Sequence, residues 1–220
     1  MFGKACLVAA LGAGWLALTA MSEPGGLEAG VLEQINFARQ HPQDYAEQLR
    51  AYRERFDGRI LYRPGDDAGI LTQEGPHAVD EAIEFLERQA PLPPLSEGDV
   101  LAMAAHDMAA MQDRDGSVGH TPHDGSSPGQ RVKRRGGDVY VGESISYGFD
   151  APDDVVMQMI VDDGVPMRGH RALLFARNYR FAGVGCGAHP QFRFMCVVDL
   201  SGTATGGPQL PAGYRSGGGS

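Results

Sequence analysis

The stretch Phe181–Ser201, "FAGVGCGAHPQFRFMCVVDLS", decides the architecture. Two apolar runs, Phe181 to Ala188 and Phe192 to Leu200, flank His189-Pro190-Gln191. Strand side chains alternate between faces, so a hairpin centred on Gln191 sets Cys186 opposite Cys196. Val184 then meets Val198 and Ala188 meets Phe194, all on one face. The spacing predicts a β-hairpin with Cys186 and Cys196 within reach of a disulfide.

Whether they oxidise depends on the compartment. The chain opens "MFGKACLVAALGAGWLALTAM", one lysine followed by an apolar run from Ala5 to Ala20. That run is short and glycine-broken for a span of about 20 residues. Small residues at Ala20 and Ser22 fit a signal-peptidase site, so residues 1–22 read as a secretory signal peptide, leaving no membrane span after cleavage. Cys6 departs with the signal. The remaining two of three cysteines form an even pair in an oxidising, periplasmic or extracellular setting.

The chain has 220 residues and a net charge of −9, which disfavours a nucleic-acid partner, because phosphate backbones are met by basic faces. The one basic run, Arg131 to Arg135, reads as a solvated helix face. Upstream, Leu27, Val31, Ile35 and Ala38 share a helix face, and Pro42 opens a second helix carrying Tyr45, Leu49, Tyr52 and Phe56. Residues 57–75 read as a turn-rich loop. Pro76 opens a helix with Val79, Ile83 and Leu86 inward. Ala90–Ser96 is a stiff proline connector. Ser96-Glu97-Gly98-Asp99 resembles a helix-start box, followed by a stripe of Val100, Ala104, Met108 and Met111. After a Gly/Ser loop over 115–130 come a short helix to Arg135, a strand within 139–147 and a helix from Pro152 that ends at Asp162-Asp163-Gly164. One more short helix follows Gly169-His170. The glycine-rich tail, 203–220, reads as flexible.

Four places could carry chemistry: Gly119-His120, Gly142-Glu143, Asp162-Asp163 and Gly169-His170. Two imidazoles and two carboxylates could form a metal site, an acid/base set or a hydrogen-bonded structural cluster. No local ligand spacing decides between them. Imidazole nitrogens roughly 3–4 Å apart could share a zinc, and rings more than about 8 Å apart could not. No G-x-S-x-G elbow, calcium loop or phosphate-cradling loop is present.

The ordered runs "GHTPHDGSSPGQRVKRRG" (119–136), "VGESISYG" (141–148), "MIVDDGVPMRGHRALLF" (159–175) and "VGCGAHPQFRFMCVVDLS" (184–201) resemble the bacterial branch of the CAP superfamily, the SCP domain. "INFARQHPQDYA" (35–46) resembles its first helix. The resemblance covers residues 27–202, with an insert at 57–95. It implies a three-layer α/β/α sandwich with a small antiparallel sheet, and a cleft lined by His120, Glu143, Asp162 and His170. Asp162 stands where relatives carry glutamate, Asp163 being the alternative, and Ser144 replaces an asparagine. The resemblance implies an exported domain that binds an envelope or extracellular ligand, lipid or protein, and is not clearly catalytic. Two alternatives are a zinc-assisted hydrolase, with His120 and His170 on the metal and Glu143 as base, and a purely structural polar cluster.

Overall fold

The structure, a computed structural model, describes residues 26–208 apart from 64, 66 and 67. The segment read as a signal peptide, residues 1–22, and the tail from residue 209 lie outside the described residues. Seven helices occur among them: α1 (Gly26–Gln40), α2 (Pro42–Arg53), α3 (Pro76–Arg88), α4 (Asp99–Asp115), α5 (Pro128–Arg134), α6 (Pro152–Val161) and α7 (Gly169–Leu174). The strands are β1 (Phe56–Asp57), β2 (Ile60–Leu61), β3 (Ile70–Leu71), β4 (Ser96–Glu97), β5 (Val141–Tyr147), β6 (Phe181–His189) and β7 (Arg193–Ser201). No described helix is long and apolar enough to cross a membrane.

The main sheet has the order β4-β6-β7-β5. Its centre is the hairpin read from the sequence. Cys186 pairs with Cys196, Val184 with Val198 and Ala188 with Phe194, and a disulfide joins the two cysteines. The expected antiparallel sheet is mixed at one edge, where β4 runs parallel to β6. Ser96-Glu97 forms that edge strand instead of a helix cap. Helix α4 opens after Gly98 with no side-chain cap, because pairing with Phe181 and Ala182 claims the two residues first.

Alternation along the hairpin builds the two cores. Ala182, Val184, Cys196, Val198 and Leu200 join the layer of α1, α2, α3 and α6. Met195 and Val197 face α4 with Ile145. Helix α4 runs so close over β6 that glycine is required beneath it. A Cβ on Gly183 would lie 2.0 Å from the Ala102 nitrogen, and one on Gly185 2.3 Å from the His106 nitrogen.

Residues 57–75 are more ordered than the loop expected of them. β1, β2 and β3 form a small antiparallel sheet of two-residue strands. Such strands are too short to show a period. Helix α3 buries Val79, Ile83 and Leu86 as read, packed on α2 and α6. Two polar residues of α1 fix the proline connector. Asn36 exchanges hydrogen bonds with Leu95 in both directions, and the fully buried Arg39 donates to the Pro93 and Ala176 carbonyls. At the far end, Asp138 and Tyr140 donate to the carbonyls of Thr205 and Gly206. Residues 203–207, read as the start of a flexible tail, are therefore tied to the segment leading into β5.

Gly183→Ala and Gly185→Ala should each cost about 3 kcal/mol or more, because helix and strand must separate to admit the methyl group. Gly187→Ala should be nearly neutral, since its Cβ would meet only the Ala109 Cβ, at 3.5 Å. Urea denaturation midpoints of the three variants check this contrast.

Candidate functional site

β5 is one edge of the main sheet, and helices of both layers pack against it. Glu143 lies on β5, and α7 packs against the same strand from the other layer. A cleft therefore forms where the two layers meet.

His120 enters from the loop after α4. The flanking peptide is fixed on each side: Gly119 N–H donates to the Tyr147 hydroxyl (2.9 Å), and Gln112 Nε2 donates to the Gly119 carbonyl (2.7 Å). Tyr147 donates in turn to Gln112 Oε1 (2.9 Å), and burial raises the phenol's pKa, which keeps that proton on. The His120 ring is half exposed, and its Nδ1 lies 2.8 Å from Glu143 Oε1. Glu143 Oε2 accepts from Arg131 Nη2, and both of these side chains are buried.

Arg131 corrects the sequence reading. The run Arg131–Arg135 is not wholly a solvated face, for Arg131 is 0% exposed. Its Nη1 donates to the carbonyls of Ser126 (2.8 Å) and His120 (3.3 Å). Arg134 and Arg135 stay outward, paired with Asp124 and Asp107. The missed signal was Val132, the one apolar residue of the run. Helix neighbours about 100° apart share part of a face.

His170 is built differently. Helix α6 ends at Asp162, which takes a left-handed backbone (φ 59°) and turns its carboxylate onto the start of α7. Oδ2 accepts the backbone N–H of His170 (2.9 Å) and of Arg171 (3.3 Å), and Oδ1 lies 2.7 Å from His170 Nδ1. The flanking arginines clamp the corner. Arg171 donates to the last carbonyls of α6, Ile160 (2.6 Å) and Val161 (3.0 Å), satisfying groups a helix end leaves open. Arg168 donates to the Asp162 carbonyl and pairs with Glu74 and Glu81. The Arg168 guanidinium holds Glu74 down at about 2. Asp163 instead accepts from the backbone of Gln73 and Glu74 (2.7 Å each). Both aspartates border the cavity, but Asp162 orients His170 while Asp163 fixes the insert.

The structure thus brings His120, Glu143, Asp162 and His170 together, the two rings 6.4 Å apart between centres. In each case a carboxylate occupies Nδ1, the arrangement that sets a tautomer and leaves Nε2 free. His120, Asp162 and His170 line a cavity of about 670 Å³. Its other walls are largely apolar: Leu61 and Ile70 from the small sheet, Ile145, Phe149, Met159 and Phe192. Leu71 and Val118 stand exposed at its rim. Glu143 lies behind the wall.

A family model described as the cysteine-rich secretory protein family, CAP, matches residues 32–200. The chain belongs to the CAP family. Among solved structures, this CAP chain is similar to an outer surface protein from Borrelia burgdorferi, at 20% identity and a TM-score of 0.42, over 55% of this chain and 86% of that one. It is also similar to an extracellular SCP-domain protein from Bacillus anthracis str. Ames, at 17% identity and a TM-score of 0.40, over 57% of this chain and 38% of that one. No curated protein matches it.

The residues of this CAP domain do not fit a resident zinc. Two imidazoles bound through Nε2 to one tetrahedral zinc, with Zn–N near 2.0–2.1 Å, hold their ring centres about 5 Å apart. The 6.4 Å observed is too wide without movement. The described residues contain no group of three or more ligating side chains. Both carboxylates are already engaged, each through both of its oxygens.

Arg131→Met should destabilise the domain by about 3–5 kcal/mol, because it leaves the buried Glu143 charge without its partner. Urea unfolding measures the loss, and one below about 1 kcal/mol would show that the ion pair does not hold this corner. Zinc calorimetry should show no saturable one-to-one binding that His120→Ala combined with His170→Ala abolishes.

Proposed function

We propose that this CAP domain is exported and binds an amphipathic, lipid-like ligand in the His120–His170 cleft, with no covalent chemistry. The observation that carries the reading is the division of the cavity. Two imidazoles, each held at Nδ1 by a carboxylate, belong to its lining, and most of the other lining side chains are apolar. Such a surface suits a ligand with one polar head and an apolar body. Export is supported by the apolar N-terminal run and by the Cys186–Cys196 disulfide, a bond that persists in oxidising compartments.

A hydrolase reading finds less support. Glu143 is buried with both oxygens bonded, so it is poorly placed to activate water. Among the described residues neither histidine hydrogen-bonds a Ser, Thr or Cys side chain, the pairing that activates a nucleophile. A purely structural cluster would need no apolar-walled cavity beside it.

Titration with cis-parinaric acid tests the proposal by fluorescence. Saturable binding is expected. His120→Ala combined with His170→Ala should weaken it by about tenfold or more, at roughly 1–3 kcal/mol for lost hydrogen bonds to the head group. Leu71→Asp at the rim should weaken it through the apolar wall. Absence of saturable binding to the folded wild-type chain overturns the reading.

A further inference from the structure

Asp199 lies between Val198 and Leu200 on β7 and is 0% exposed. Its strand partners are Glu143 on β5 and Gly183 on β6. Alternation turns it with Met195 and Val197 toward α4 and α5. Neither of its carboxyl oxygens receives a hydrogen bond from any N–H or O–H among the described residues.

The charged groups that face it are Glu143 from β5 and Arg131 from α5. β6 offers only Gly183, and α4 lays Leu101, Ala104, Ala105 and Met108 on this side of the sheet. His120 reaches the group only through Glu143. Arg131 directs Nη1 to two carbonyls and Nη2 to Glu143, and its Nε finds no acceptor.

Two carboxyl groups therefore share a dry site with one guanidinium. Both cannot be ionised without a large desolvation and repulsion cost. Glu143 has the donors, so it keeps the charge. Asp199 has none, so it keeps a proton. A protonated carboxyl becomes a hydrogen-bond donor, and the acceptor beside it is Glu143.

We propose that Asp199 is a neutral carboxylic acid at physiological pH, donating its proton to Glu143, and that it is a positioning residue holding Glu143 against His120. Burial, followed by the neighbouring Glu143 charge, raises its pKa well above the usual carboxylate range, with Arg131 pulling the other way. The proposal does not require the cleft to bind an amphiphile, so either reading can fail alone.

The pH dependence has a definite sign. Between the ordinary carboxylate pKa and the raised one, the folded chain holds a proton that the unfolded chain has released. Stability then falls as pH rises through that window. Asp199→Asn removes the titration and should flatten this part of the stability–pH curve.

Infrared spectroscopy of the full chain at neutral pH tests the assignment directly. A protonated-carboxyl stretch should be present in wild type, remain in His120→Ala and vanish in Asp199→Asn. Carboxyl ¹³C NMR of the wild type gives the same answer without a variant: one aspartate should stay protonated at neutral pH. The positioning role is read from the His120 Nδ1 proton resonance. It should move in Asp199→Leu and stay at its wild-type position in Asp199→Asn, whose amide N–H can replace the donor. Absence of the protonated-carboxyl signals, a stretch that survives Asp199→Asn, or a resonance equally unmoved in both variants overturns the proposal.

Discussion

A buried guanidinium against a buried carboxylate sets the terms for the rest of the site. Arg131 and Glu143 are almost wholly out of water, and each is costly alone. Their pairing ties α5 to β5, while the other arm of Arg131 reaches back to the His120 carbonyl. One side chain thus fixes both ends of the His120–Glu143 contact. On the opposite histidine's side, no arginine side chain bonds the carboxylate. Backbone N–H groups at the start of α7 grip Asp162, and arginines tie down the end of α6. Two unlike supports present the same result, an imidazole bound at Nδ1 and free at Nε2.

The main sheet makes this convergence geometric. Because β5 is an edge strand, side chains from opposite layers can meet beside it without crossing the core. The glycines of β6 permit α4 to lie close to the sheet, and α4 carries the buried Gln112 that holds the His120 loop. A change in helix–sheet spacing at Gly183 or Gly185 would reach the cleft through that helix.

Much of this was legible in the sequence where the signal was periodic or punctuated. The 181–201 hairpin and its register followed from alternation, and the disulfide from that register together with the reading of an exported chain. The ordered runs that resemble the family pointed to His120, Asp162 and His170, which line the cavity, and to Glu143, which stands behind it and holds His120. What escaped had no local signature. Arg131 was hidden in a basic run, and only its adjacency to Val132 hinted at burial. Asp199 was visible in principle, a lone acid sharing a face with Met195 and Val197, but its partner lies 56 positions away in the chain on β5. Ser96-Glu97 carries the same letters whether it caps a helix or pairs with β6, and tertiary pairing decided. Asp162 and Asp163 differ only in which one takes the left-handed turn, a choice settled by what each carboxylate can reach.

The small sheet at 56–71 stands apart from these supports. It supplies Leu61, Ile70 and Leu71 to the cleft, and the chain after it is moored by Asp163 and by Glu74 to Arg168. Among the described residues, no hydrogen bond joins β1, β2 or β3 to Glu143 or Asp162, the carboxylates that orient the histidines. The polar and apolar halves of the cleft are therefore separable modules. Substitutions at Leu61, Ile70 or Leu71 can reshape the apolar wall while the imidazole end keeps its form, so the cavity's shape and its polar chemistry can vary one without the other.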